Sequence, residues 1–357
     1  MRRIVILLVF LSLAIIFVGY TFLSTGYFRN IQQEAAKQPS FEPITTYEIP
    51  GVEDMAVSYV DSFMILSSDD RALKRTGIVT QGALYLMNLK NKEPQPVIIS
   101  GAFEGPFSPH GIDLLKTSDT THLIWVVNHP EGNHTIELFE WNGSSLNHLK
   151  TYQDQTLQSP NDVVGIGINE FYFTNDHGFT SRLGVLAENY LGLAVSNVYH
   201  VKNEVYNMAA DNIGYANGLA INRKESVLFV ASPRTFSLLT YLVKPSGTLE
   251  KSEEIKVGTG IDNLTITQDG QVWSGAHPNL LKFTSYAAGN SKISPSEVVS
   301  ISFDNKESPA VSSVFLDDGS LISGASAAIL FGSQLYIGNV MDTHFIRVQM
   351  ASPESVK

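Results

Sequence analysis

The segment EFYFTNDH, residues 170–177, is an apolar strand that ends in small and polar side chains, and it decides the fold because the chain repeats it. The other copies are FMILSSDD (63–70), LIWVVNHP (123–130), VLFVASPR (227–234), QVWSGAHP (271–278) and QLYIGNVM (334–341). Successive copies begin roughly 44 to 63 residues apart, about the length of four short strands. Repeats of this length built from short strands are typical of propeller blades. The six copies therefore predict an all-β fold, a six-bladed β-propeller.

A second element lies upstream of each copy and begins with polar or small residues before it becomes apolar. These elements begin at Glu53-Asp54, His110-Gly111, Asn161-Asp162, Asn217-Gly218, Asp262-Asn263 and Gly324-Ala325. In a propeller the innermost strand of every blade lines the central channel. Equivalent positions of the six elements are therefore expected to converge on the axis.

Residues 44–49 (ITTYEI) are rich in β-branched and aromatic side chains and predict one additional strand. We expect this strand to complete the last blade and to close the ring. The chain has no cysteine, so closure must depend on strand pairing. The absence of cysteine also excludes a disulfide framework and a thiolate zinc site.

The composition is that of an ordinary globular protein, with 43% hydrophobic and 17% charged residues among 357. The formal net charge is -11. Phosphate binding needs a basic surface, and the sequence contains no Lys/Arg cluster, so nucleic acid is not expected as a partner.

The N-terminus differs from the rest of the chain. Two arginines precede an uncharged run, residues 4–23, that is long enough to cross a bilayer as a helix and has no convincing cleavage site. Arginines ahead of the run place the remainder outside the cytoplasm. We therefore expect an uncleaved transmembrane signal anchor (1–28), a linker (29–43), an extracytoplasmic propeller (44–352) and a short tail (353–357). A cleaved signal peptide is the alternative.

The side chains expected to meet on the axis all carry oxygen donors. They are Glu53, Asp54, Asn161, Asp162, Asn217, Asp262 and Asn263. Calcium is bound in proteins by carboxylate, amide and backbone oxygens, whereas zinc and copper favour nitrogen and sulfur. Asn and Asp also cap turns at strand ends, but their recurrence at equivalent positions favours a metal. Neighbouring strand residues point in opposite directions, so adjacent pairs suggest two ions at different depths.

Two histidines belong to the second predicted blade. His110 begins the inner element and His129 follows the strand end. A histidine with a near-neutral pKa can take a proton from water and return it to a leaving group. We interpret His110 and His129 as a catalytic pair, and His177 and His277 as hydrogen-bonded structural residues.

Several segments resemble the serum paraoxonase/arylesterase family. The similar segments are HGI (110–112), VVNHP (126–130), Asn161-Asp162 with FYFTNDH (171–177), YANG (215–218), Asp262-Asn263 and AHPN (276–279). They occur in the family's order from Glu53-Asp54 to near the C-terminus. The resemblance implies a six-bladed propeller whose central tunnel holds two calcium ions. It also implies an enzyme that hydrolyses lactones and aryl esters, with organophosphates as further substrates of some members.

The resemblance also assigns roles to residues of this chain. It implies that the catalytic calcium is held by Glu53, Asn161, Asn217, Asp262 and Asn263. It implies that the deeper, structural calcium is held by Asp54, Asp162 and the backbone carbonyl of Ile112. His110 and His129 match the histidine dyad, with His110 as the base. Family members tend to keep an N-terminal hydrophobic segment, in agreement with the predicted anchor.

The chain departs from the family in two respects. The animal enzymes join their ends by a disulfide, which is impossible here, and the loop at residues 67–74 is more charged than the animal version. That loop shapes the substrate entrance in the family, so substrate preference is open. Within the site, Glu53 or Asp262 is the alternative base or nucleophile.

Two other functions remain open from the sequence. One is a sugar-lactone hydrolase of the gluconolactonase type, which would need neither the VVNHP histidine nor the membrane segment. The other is a non-catalytic propeller that binds protein or carbohydrate. Asn133, Asn142 and Asn263 begin glycosylation sequons, a pattern that also arises by chance.

Overall fold

The computed structural model describes residues 2–24, 29–38, 41, 44–304 and 309–350. In these residues the strands form six four-stranded antiparallel sheets, each of which is one blade. The predicted six-bladed β-propeller is therefore confirmed. The predicted tail, 353–357, lies outside the described residues.

The strands follow the blades in chain order after an initial strand, β1 (Ile44–Tyr47). Blade 1 contains β2 (Val52–Ser58), β3 (Phe63–Ser68), β4 (Ala83–Asn88) and β5 (Pro96–Ile98). Blade 2 contains β6 (Pro109–Lys116), β7 (His122–Asn128), β8 (Thr135–Trp141) and β9 (Leu146–Tyr152). Blade 3 contains β10 (Pro160–Gly167), β11 (Glu170–Asn175), β12 (Ser196–Lys202) and β13 (Val205–Ile213).

The remaining blades follow the same plan. Blade 4 contains β14 (Leu219–Asn222), β15 (Val227–Ser232), β16 (Ser237–Val243) and β17 (Leu249–Lys256). Blade 5 contains β18 (Gly260–Ile266), β19 (Val272–His277), β20 (Ser296–Ser302) and β21 (Ala310–Asp317). Blade 6 contains β22 (Ala325–Phe331), β23 (Gln334–Asn339) and β24 (Phe345–Gln349). The six repeated segments are the second strands of their blades, as their common sequence pattern requires.

The ring closes through β1, which pairs antiparallel with β24 as the outermost strand of blade 6. Tyr47 lies opposite Phe345, and their rings stack at 4.7 Å between centroids. The first described strand of the propeller is thus hydrogen-bonded to the last. This confirms the predicted closing strand, which covers residues 44–47 of the predicted 44–49.

Burial is greatest in the second strands of the blades and least at the rim. Every residue of β7 is buried, because this second strand is covered on both faces by neighbouring blades. The outer strand β9, LNHLKTY, is mostly exposed and polar. Trp125 of β7 is fully buried and packs on Tyr152 and Phe171, with centroids 5.5 and 4.6 Å away. The core therefore consists of layers of side chains between blades rather than one central cluster.

The inner strands are irregular near their first residues. Register shifts separate Val52 from Asp54, Pro109 from Ile112, Pro160 from Val163, Ile261 from Leu264 and Ala325 from Ala328. Each shift is a β-bulge, in which the inner strand has one residue more than its partner. A bulge bends the strand and changes the direction of its side chains, which is why bulges are common beside functional sites. The side chains of these strands therefore do not simply alternate between the two faces of the sheet, and the directions of the polar side chains do not follow from strand periodicity.

Five α-helices and one short 3₁₀ helix are present among the described residues. They are α1 (Arg2–Ser24), α2 (Ile31–Ala35), α3 (Arg71–Arg75), α4 (Arg182–Leu191), α5 (Leu280–Ala287) and the 3₁₀ helix η1 (Pro233–Thr235). The side chains of Asp70, Ser181 and Asn279 cap the N-termini of α3, α4 and α5. Such side-chain oxygens satisfy backbone amides that have no partner within the helix. Helices α3, α4 and α5 follow the ends of second strands, at one face of the propeller.

The N-terminal helix α1 presents exposed apolar side chains between Ile4 and Tyr20. It is long and apolar enough to cross a membrane between Arg2 and Tyr20, as predicted from the uncharged run.

The segment predicted as a linker includes α2, which lies against blade 5. Ile31 is buried, and Arg29 forms ion pairs of 2.8 Å with both Glu34 and Glu297. Because Glu297 belongs to β20, these contacts connect the residues after α1 to the propeller.

Candidate functional site

A cavity of about 380 Å³ lies at the face where the inner strands begin. Its floor contains Glu53, His110, Asn161, Asn217 and Asp262, one from each of five inner elements. Its walls contain apolar side chains of α4 and α5, including Leu186, Leu280 and Phe283. The structure thus brings together residues that are more than two hundred positions apart in the sequence, as the repeat predicts.

Four buried oxygen atoms of this region have no hydrogen-bond partner among the residues that the structure describes. They are Glu53 Oε2, Asn161 Oδ1, Asn217 Oδ1 and Asn263 Oδ1. Asn263 Nδ2 donates to the backbone oxygen of Glu53 at 2.8 Å and to its Oε1 at 2.9 Å, which leaves Asn263 Oδ1 unpaired. Buried polar atoms are nearly always satisfied, so a set of unpaired oxygens at and beside one cavity floor fits a positively charged ligand.

The donor set decides which partner fits. The described residues contain no group of three or more His, Cys, Asp or Glu side chains placed to hold a metal. The unpaired atoms are mainly amide oxygens with one carboxylate, and calcium accepts both in a flexible geometry. The residues present therefore fit calcium rather than zinc.

Asp54 and Asp162 are engaged differently from the floor residues. Asp54 Oδ1 accepts from the amide of Met55 at 2.8 Å, and its Oδ2 accepts from the amide of Ile112 at 2.7 Å. Asp162 likewise accepts from Val163 at 2.7 Å and from Leu219 at 2.5 Å. Each carboxylate therefore connects its own inner strand to that of the next blade.

Glycines allow this close approach. A Cβ atom at Gly111 would lie 2.4 Å from Asp162 Oδ1, and one at Gly218 would lie 2.5 Å from the backbone oxygen of Asp262. Both distances are far below van der Waals contact. The glycines of HGI and YANG are therefore required by packing between inner strands.

Burial dominates the electrostatics of the carboxylates. It raises the pKa of Glu53 and Asp262, and it raises that of Asp54 and Asp162 well above the usual range. Repulsion from Asp162 and Glu53 raises the pKa of Asp54 further. A bound cation would favour the ionised forms, so protons and a cation compete for these groups.

His110 has contacts at both ring nitrogens. Nε2 lies 3.5 Å from Glu53 Oε1, and Nδ1 lies 3.2 Å from Arg71 Nη2. Since a guanidinium only donates, Nδ1 accepts and the ring proton is on Nε2 in this arrangement. Burial, followed by repulsion from Arg71, lowers the pKa of His110 to about 3. The ring is therefore neutral at physiological pH.

His129 packs against His110, and their rings meet edge to face at 5.0 Å between centroids. Its Nδ1 lies 2.8 Å from Nδ1 of His134. Burial lowers the pKa of His129 well below its usual value. His110, His129 and His134 thus form a row of three rings running away from the cavity floor.

Two further histidines line the cavity, and each contacts a carboxylate. His177 Nδ1 lies 2.7 Å from Asp176 Oδ1, and His277 Nε2 lies 2.8 Å from Asp262 Oδ2. The ring of His277 stacks on Phe283 at 3.5 Å. Both histidines are hydrogen-bonded, as predicted, but they belong to the cavity wall and not to a remote part of the fold.

A family model described as Arylesterase matches residues 72–346, which is more than half of the chain. The chain belongs to the arylesterase family. Serum paraoxonase/arylesterase 2 of Gallus gallus is 36% identical over 266 residues, 72% of this chain and 74% of the relative. Serum paraoxonase/lactonase 3 of Homo sapiens is 33% identical over the same shares of both chains.

Solved structures with the same fold are more distant in sequence. A gluconolactonase from Xanthomonas campestris has a TM-score of 0.52 at 14% identity, covering 89% of this chain and 92% of that chain. A luciferin-regenerating enzyme has a TM-score of 0.51 at 13% identity, covering 86% and 94%. These similarities show the fold alone. Family membership shows more, namely a hydrolase of the esterase/lactonase type.

Sequence reasoning missed several residues of this arylesterase-family site. In the sequence, Arg71 is one member of a charged loop, His134 lies within a sequon, and Arg234 ends the fourth repeated segment. Asp176 lies in the TNDH segment, whose pattern assigns it no role. A polar residue just after each second strand was the available signal, because these positions lie at the same face as the inner-strand residues.

Proposed function

We propose that this arylesterase-family chain is a calcium-dependent hydrolase of lactones and aryl esters. The observation that supports this most is the set of four unpaired buried oxygens around the cavity floor. Family membership supplies the reaction class, and the apolar walls suit substrates with hydrophobic parts.

The catalytic ion would be held by Glu53, Asn161, Asn217, Asp262 and Asn263. The second ion would be held by Asp54, Asp162 and the backbone carbonyl of Ile112. A carboxylate has about four acceptor positions, so an Asp that accepts two amide hydrogens retains lone pairs for a cation. When bound, calcium supplies a Lewis acid that polarises a carbonyl oxygen and stabilises the negative charge developing on it.

His110 is proposed as the base that takes the proton of the attacking water, with His129 holding the orientation of its ring. In the described arrangement both nitrogens of His110 are engaged. Proton transfer to Nδ1 therefore requires Arg71 to withdraw from that atom, a movement that would also remove one of the two main causes of the low pKa of His110. Glu53 is the second candidate base, since its Oε2 is unpaired and burial raises its pKa.

Removing calcium is expected to abolish hydrolysis. The test measures turnover of γ- and δ-lactones, aryl acetates and gluconolactone before chelation, after chelation and after calcium is restored. Activity should be lost and then recovered with calcium, while magnesium serves as the control cation because it prefers a stricter octahedral geometry. Full activity in a protein shown by elemental analysis to be free of metal would exclude the proposed mechanism. Turnover of gluconolactone alone would instead favour a sugar-lactone hydrolase.

The protein is also proposed to be anchored by α1, with the propeller on the extracytoplasmic side. The mature chain should then retain its first residues and sediment with membranes after washing in high salt and carbonate. A variant that lacks residues 3–23, which comprise Arg3 and the apolar run beginning at Ile4, should appear in the soluble fraction. N-terminal sequencing that begins near Tyr27 would instead show a cleaved signal peptide.

A further inference from the structure

Arg234 lies in the wall of the cavity on a rigid turn. It is the middle residue of η1 and lines the cavity together with Tyr215 and Asn217. Ser232 Oγ donates to the backbone oxygen of Gly214 at 2.9 Å, and Thr235 Oγ1 donates to Ser232 Oγ at 2.8 Å. These bonds fix the turn on both sides of Arg234, so the base of its side chain is held in place before any ligand arrives.

Among the described residues, Arg234 is a cation of the cavity wall without a counter-charge, and the nearby aspartates Asp176 and Asp262 are each paired with a histidine. Asp176 contacts His177 and Asp262 contacts His277. Within the described part of the chain, no ion pair or hydrogen bond engages the guanidinium of Arg234, and its Nε is buried without a partner. Burial lowers the pKa of Arg234, whereas the phenols of Tyr190 and Tyr215 act in the opposite direction. Arginine nevertheless stays protonated in proteins, so the positive charge remains.

The wall around Arg234 is largely apolar. Leu186, Leu281 and Phe283 line the same cavity. An arginine fork in such surroundings matches the geometry of a carboxylate, with two parallel N–H donors for two oxygens. A bound carboxylate would satisfy donors that have no partner here, and the apolar wall would exclude competing water.

We propose that Arg234 selects substrates that carry a carboxylate. The substrate class is a lactone or aryl ester in which an apolar segment separates the scissile carbonyl from the carboxylate. This inference rests on the proposed function, because it assigns the floor to the reacting ester and Arg234 to the distal end of the same molecule.

The test uses γ-lactones whose side chains of graded length end in a carboxylate, each paired with its neutral carboxamide. The readout is the ratio of kcat/KM for the two members of a pair, measured in full-length protein with calcium. Intrinsic reactivity cancels when this ratio is compared between proteins. Arg234→Gln should lower the ratio about 10–100-fold at the preferred length, the usual effect of losing a charged hydrogen bond. Arg234→Lys, which retains the charge but not the fork, should lower it less.

The matched control is Arg223→Gln. Arg223 lies at the opposite end of the channel and is paired with Asp113 at 2.9 Å. Its replacement by Gln therefore changes the net charge by the same amount, but away from the cavity. Its ratio should equal that of the unmodified protein. A carboxylate preference that persists in Arg234→Gln would assign recognition to the metal site. If the ratio in the unmodified protein equals the ratio of the two uncatalysed hydrolysis rates at every length, the protein has no carboxylate preference. Either result overturns the inference.

A binding measurement separates this inference from the proposed reaction. The ligand for calorimetry is the hydrolysis product, which carries the carboxylate of the opened ring as well as the distal one. Arg234→Gln should bind this product about 10-fold more weakly than the unmodified protein does. If no lactone is hydrolysed but this difference is found, the proposed function fails and recognition by Arg234 stands. If lactones are hydrolysed and the product binds both proteins equally, the function stands and the inference fails.

Discussion

Replacing His110 by Gln is expected to lower lactone turnover by about 10²–10⁴-fold, the usual contribution of a general base. The fold and calcium affinity should change little, because Gln retains hydrogen-bonding groups near Arg71 and Glu53 and removes only the capacity to take a proton. The measurements are kcat and KM for one lactone, the unfolding temperature and calcium affinity by calorimetry. The matched control is His344→Gln, since His344 is a histidine outside the cavity that contacts the backbone oxygen of Leu321 at 3.0 Å.

A stable His110→Gln protein with near-normal activity would contradict the histidine mechanism. In that case Glu53 becomes the base, and the Arg71 contact at Nδ1 of His110 becomes a structural hydrogen bond. Glu53→Gln does not settle the question alone, because it also removes the negative charge of a proposed calcium ligand. Its calcium affinity must therefore be measured, and its turnover compared at saturating calcium.

Replacing Asp54 by Ala is expected to have the largest effect on stability. The carboxylate accepts the amide hydrogens of Met55 and Ile112, and each buried donor left unpaired costs about 1–3 kcal/mol. The unfolding temperature should fall on the order of 5–15 °C in a chain of this size. If Asp54 also holds the deeper ion, added calcium should stabilise the variant much less than the unmodified protein, because ligand binding to the native state adds to its stability.

The control for this prediction is Asp317→Ala. Asp317 is buried and accepts amide hydrogens from Gly319 at 2.9 Å and Leu321 at 3.0 Å, but it is the last residue of β21, the outer strand of blade 5, away from the channel. It should therefore lose stability through unpaired donors while keeping the normal response to calcium. An Asp54→Ala protein whose unfolding temperature rises with calcium as much as that of the unmodified protein would remove Asp54 from the proposed site. Accepting the amide hydrogens of Met55 and Ile112 would then be the only role of Asp54.

The sequence by itself determined the architecture. Strand propensity is a local property of the sequence, and a repeat can be seen by comparing segments of it. Six copies of an apolar strand with a polar end therefore predict both the number of blades and the convergence of their inner strands. The same logic placed Glu53, Asn161 and Asp262 together, because equivalent positions of a closed ring must meet at its axis. The sequence predicts residues 44–49 as the closing strand for a similar reason. A strand that belongs to no other blade can pair with the free edge of the last blade.

Only the tertiary structure decided how those residues are engaged. The β-bulges change the direction of side chains at Asp54 and Asp162, and the two carboxylates accept amide hydrogens from neighbouring blades. The loops after the second strands bring Arg71 to His110 and leave Arg234 unpaired in the cavity wall. Such contacts join segments far apart in the chain, and they depend on loop paths and rotamers set by packing between blades. A sequence pattern specifies the period of a strand, whereas packing across the channel decides which atoms keep a partner and which remain free for a ligand.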